Sequence, residues 1–94
     1  MRPNVVELKI DEENAEEMAR HGVRPREVEQ VLDGAPRFFR NSKGHRAEYI
    51  MIGPTAGGRM LTVPLARTPR PELWRPATAW ESATRDRTPY FGSR

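Results

Sequence analysis

Three features of this 94-residue sequence predict an α+β domain, with two helices packed on one face of a curved antiparallel β-sheet. Two short helical patterns with start and stop signals follow a strand-like N-terminal run. Arg46 to Ala66 reads as two apolar runs around Pro54, Thr55, Ala56, Gly57 and Gly58, the signature of a hairpin with a longer Gly-rich loop. The length fits a single domain spanning residues 1–94 with a limited core.

Val5 to Ile10 reads as the first strand. Asp11 then caps a helix whose acids, Glu12, Glu13, Glu16 and Glu17, come early and whose bases, Arg20 and His21, come late, the order that complements the helix dipole. Ala15, Met18 and Ala19 give it a narrow apolar face, and Gly22 is placed to end it in the left-handed region. Pro25 starts a second helix, where its missing N–H costs nothing. Val23 is placed to pack on Val28, and Val28, Val31 and Leu32 form the buried face. Gly34 and Pro36 stop it.

Arg37 to Arg40 is a short strand, and Asn41 to Gly44 a turn. In the hairpin, alternation sets Arg46, Glu48, Ile50 and Ile52 on one face of the first strand, and Arg59, Leu61, Val63 and Leu65 on one face of the second. Pro64 donates no ladder hydrogen bond, so it predicts an edge strand, a bulge or a strand ending near Val63. Thr68 to Pro71 is a rigid basic linker. Leu73 to Trp80 is a last strand interrupted by Pro76, and the tail holds one helical turn before Pro89, then loosens over about 88–94.

The sequence has no cysteine, as suits a reducing cytoplasm. The first ten residues lack the apolar stretch of a signal peptide, and no run is long enough to cross a membrane. Mean hydropathy is −0.80, so a partner is expected to order part of the chain. The net charge of +3 conceals an asymmetry. Residues 1–34 carry five basic and nine acidic side chains, a net of −4, whereas residues 35–94 carry eleven and four, a net of +7. Such a split points to an anionic partner, with nucleic acid the usual one.

The acidic helix running into Ala19-Arg20-His21-Gly22-Val23, the second helix Glu27-Val28-Glu29-Gln30-Val31-Leu32, the pair Gly58-Arg59 before an apolar strand, and the late Ala83-Thr84 with Arg85, Arg87 and Tyr90 resemble the BrnT family of bacterial type II toxins. The resemblance implies a RelE/ParE-like fold and a small ribonuclease that arrests translation. It also implies a ribbon-helix-helix antitoxin, which neutralises the toxin, represses the operon with it and offers a route to oligomers. The chain departs from the family pattern at Trp80, where a basic residue is expected. That departure keeps open a non-catalytic alternative, a binding module or regulator of the same fold.

A metal-free ribonuclease needs a base for the 2′-hydroxyl, cations for the phosphate and an acid for the leaving oxygen. His45, Glu48, Tyr49 and Tyr90 are the proton-transfer candidates in the basic half, and Lys43, Arg46, Arg59 and Arg75 the phosphate clamps. A catalytic group of His45, Arg46, Glu48 and Arg59 is expected, with Lys43, Tyr49, Arg75, Trp80, Arg85 and Tyr90 as RNA-binding residues. Plainer roles stand beside these: His45 as a turn residue, Glu48 and Arg46 as a surface ion pair, His21 as a helix-end residue, and Trp74 and Trp80 as core or interface. Two histidines and no cysteine give few metal ligands, so neither a metal nor another cofactor is expected.

Overall fold

The structure, a computed structural model, describes residues 3–42 and 46–83. The elements run β1 (Glu7–Leu8), α1 (Glu12–Ala19), α2 (Pro25–Asp33), β2 (Arg37–Arg40), β3 (Tyr49–Pro54), β4 (Met60–Arg67), β5 (Leu73–Pro76) and β6 (Trp80–Glu81). The α+β class is as expected. The expected tail turn and loose end lie outside the described residues.

Strand order is β1-β5-β4-β3-β2, with β6 also on β4. The sheet is mixed and open rather than wholly antiparallel, because β1 runs parallel to β5, Glu7 opposite Leu73. A parallel partner far along the chain leaves no local mark in the sequence. The first strand is also shorter than the apolar run that predicted it.

Asp11 caps α1 as expected. It accepts a hydrogen bond from the Asn14 backbone N–H, and the Asn14 side chain accepts one from the Asp11 N–H. Asn14 does more than cap. It is buried, and its amide donates to the carbonyls of Lys9 and Pro76, tying α1 to the sheet. Met18 is fully buried while Ala19 faces solvent, so the inner face of α1 is Asn14 and Met18. Gly22 takes φ +73 at the corner, and Val23 and Val28 both enter the core.

The β3–β4 hairpin pairs Tyr49 with Leu65 through to Pro54 with Met60. Its loop closes with Gly58 at φ +87 and with the Ala56 N–H donating to Gln30 on α2. Tyr49, Met51, Leu61, Val63 and Leu65 join Met18, Val28 and Val31 in the core. On β3 the helix-facing set is therefore Tyr49 and Met51 rather than Ile50 and Ile52, because Met51 pairs with Val63 in this register.

Pro64 neither ends β4 nor lies on an edge. Within a strand, a residue's nitrogen and carbonyl point to the same side. The Pro64 carbonyl accepts from the Ala77 N–H, in the interval between β5 and β6. Its missing N–H therefore falls where no ladder runs. The same interval splits the strand expected over Leu73–Trp80 in two.

Candidate functional site

The end of the sheet where β2 stops and β3 begins gathers cations around one carboxylate. Leu65 accepts from the Glu48 N–H at 2.8 Å, and the Glu48 carbonyl accepts from the Asn41 N–H at 2.9 Å. Both neighbouring strands thus hold the Glu48 main chain. Its carboxylate takes a bidentate contact from Arg67, Nε at 2.6 Å and Nη2 at 3.2 Å. Those hydrogen bonds, with the charges of Arg67 and Arg40, hold the Glu48 carboxyl below its ordinary range against the opposing effect of burial. Arg46 is exposed two residues before Glu48.

Two aromatic rings underlie this rim. Tyr49 and Trp74 meet edge to face, with centroids 5.6 Å apart. The Arg40 guanidinium lies 5.8 Å from the Tyr49 ring centre, and that of Arg67 lies 5.0 Å from that of Trp74. The core thus ends in two rings, each with a guanidinium over it.

The expected catalytic group is not brought together. Arg46 lies beyond one end of the hairpin ladder and Arg59 at the other. The six pairs from Tyr49–Leu65 to Pro54–Met60 separate them, on the order of 17 Å at about 3.4 Å per residue. Nor do Glu48 and Arg46 form the expected ion pair, since the partner of Glu48 is Arg67. Arg59 is turned toward the helices. It donates to the Gly22 carbonyl at 3.0 Å and to Glu27 at 3.2 and 3.3 Å, and its Nε reaches Glu81 at 3.3 Å. It fastens the α1–α2 corner to the sheet. Arg75 is likewise committed, bidentate to Asp11 and in contact with Glu13.

Tyr49 is buried with its ring in the core. Trp80 is half-buried at the opposite end, edge to face with His21 at 6.3 Å. Trp74, by contrast, belongs to the core. Lys43, His45, Arg85 and Tyr90 lie outside the described residues. No family model, no curated protein and no solved structure matches the chain.

Sequence reading missed Arg40 and Arg67. Arg67 sits one residue past the apolar run of the second strand, and only the register shows that it comes opposite Trp74. Among the described residues, no group of three or more His, Cys, Asp or Glu side chains is placed to hold a metal ion, and no helix is long and apolar enough to cross a membrane.

Proposed function

We propose that this chain is the toxin of a bacterial type II toxin–antitoxin pair, a RelE/BrnT-like protein of the cytoplasm. In this reading it cuts RNA without a metal, at the sheet end that carries Arg40, Arg46, Glu48 and Arg67. The supporting observation is a single ionised carboxylate set beside guanidinium groups on an exposed rim. That pairing meets two of the needs of phosphodiester transfer, a proton acceptor and charge stabilisation. The arginines hold the phosphate. The 2′-oxygen attacks the phosphorus, its proton passes to Glu48, and the 5′-oxygen leaves with a proton from solvent. The products are a 2′,3′-cyclic phosphate and a 5′-hydroxyl. The resemblance at Ala19–Val23 and Glu27–Leu32 supports a ribbon-helix-helix antitoxin as the partner.

The test is incubation of purified protein with single-stranded RNA in EDTA. Cyclic-phosphate ends are expected from the unaltered chain, with loss in Arg46→Ala, Glu48→Ala and Arg67→Ala. RNA left intact at every protein concentration overturns the reading.

One observation favours a non-catalytic module instead. Tyr49 is buried, and Arg59 and Arg75 are bound to carboxylates, so one expected catalytic residue and two expected RNA-binding residues are committed to the fold. Under that reading the protein binds the antitoxin and never cuts RNA.

A further inference from the structure

The geometry points to Glu48 as an internal occupant of the phosphate seat: in the free protein its carboxylate fills the Arg67 fork, and an RNA phosphate binds there by displacing it. This rests on the RNA reading above and adds to it how the site is kept closed.

The Nε and Nη2 edge of Arg67 meets both Glu48 oxygens. A guanidinium edge grips a carboxylate and a phosphate with the same two parallel hydrogen bonds, so one excludes the other. The Arg67 guanidinium stacks over the Trp74 ring, which is buried in the core, and this holds its fork at the rim although its side chain is 60% exposed. The Glu48 backbone is held on both sides, which leaves its side chain as the part that moves. The Glu48 side chain is 30% exposed and thus has a way out.

The contacts of Arg59 and Arg75 lack this arrangement. Arg59 is anchored on a backbone carbonyl as well as on Glu27, and Arg75 is shared by two acids. At Arg67 a lone phosphate meets a resident competitor, whereas a strand that also engages Arg40 and Arg46 through neighbouring phosphates prevails over it. Displacement also removes the Arg67 hydrogen bonds that weaken Glu48 as a base. Binding of the substrate therefore readies the proton acceptor.

Fluorescence anisotropy with a labelled, 2′-O-methylated single-stranded RNA, which cannot be cut, tests this. Glu7→Gln is the control, since it removes the same charge from another arginine pair, Arg70–Glu7. Glu48→Gln is expected to bind about threefold to fivefold more tightly than Glu7→Gln, the size of an exposed ion pair. In an Arg67→Ala background that advantage is expected to vanish. Equal affinities of Glu48→Gln and Glu7→Gln, or an advantage that survives Arg67→Ala, overturn the inference while RNA binding itself stands. No binding by any form overturns the RNA reading along with it. Circular dichroism checks that each variant is folded. The Arg67 Nε–Hε resonance of the unaltered chain gives a second readout: RNA is expected to shift it, and an unmoved signal at saturation overturns the inference.

Discussion

Gly53 sets how closely α2 approaches the sheet. A Cβ there would stand 3.0 Å from the Val31 side chain and 3.2 Å from the Pro36 backbone. Gly53→Ala is expected to cost about 1–3 kcal/mol as helix and strand are forced apart, seen as a lower urea midpoint. Asn14 is a second such residue. Asn14→Ala leaves the buried Pro76 carbonyl without its side-chain donor and α1 without part of its cap. A loss of about 1–3 kcal/mol is expected in the same measurement. Arg59→Ala separates structure from chemistry: its partners are Gly22, Glu27 and Glu81, all away from the Glu48 rim. It is expected to lower the melting temperature, by on the order of 1 kcal/mol of stability, and to leave RNA affinity unchanged. An affinity loss equal to that of Arg67→Ala would return Arg59 to the binding site.

The elements were legible in the sequence wherever their signals are local. Asp11, Gly22, Pro25 and Gly34 mark the ends of both helices, and the Pro54–Gly58 cluster marks the hairpin loop. Signals that depend on distant partners were not legible. Pro64 argues for an edge until the interval between β5 and β6 shows where its nitrogen points. Alternation groups Ile50 with Ile52, but only the cross-strand register shows that Tyr49 and Met51 share the helix-facing side with Val63 and Leu65. Arg75 finds Asp11 sixty-four positions away, a pairing that neither composition nor spacing encodes. The interval at residues 77–79 also makes an element-scale prediction. Ala77→Pro removes the donor to the Pro64 carbonyl and is expected to cost about 1–3 kcal/mol, read from denaturant unfolding.

At the scale of the whole molecule, the charge split is in part answered internally. Arg59, Arg70 and Arg75 of the basic half pair with Glu27, Glu7 and with Asp11 and Glu13 of the acidic half. Among the described residues, Arg40, Arg46 and Arg67 do not enter these cross-half pairs and lie at the Glu48 rim. A pH dependence follows. The Asp11 carboxyl is lowered from 3.8, first by the Arg75 hydrogen bonds and then by the Asn14 backbone N–H, and the Glu48 carboxyl is lowered from 4.5, first by Arg67. As pH falls, the unfolded chain takes up these protons before the folded one does. The stabilisation is therefore present above about pH 4.5 and is lost as pH drops through the lowered folded values. Urea midpoints from pH 7 down to pH 2 are expected to decline in acid, less steeply in Asp11→Asn.

The parallel pairing of β1 with β5 also governs the order in which the protein can form during its own synthesis. Glu7 is made sixty-six residues before its strand partner Leu73. Until then the N-terminal strand has no ladder to join, and α1 lacks both Arg75 and the Pro76 carbonyl. The nascent chain can close its helices and hairpin first, but β1 joins the sheet only once β5 has left the ribosome.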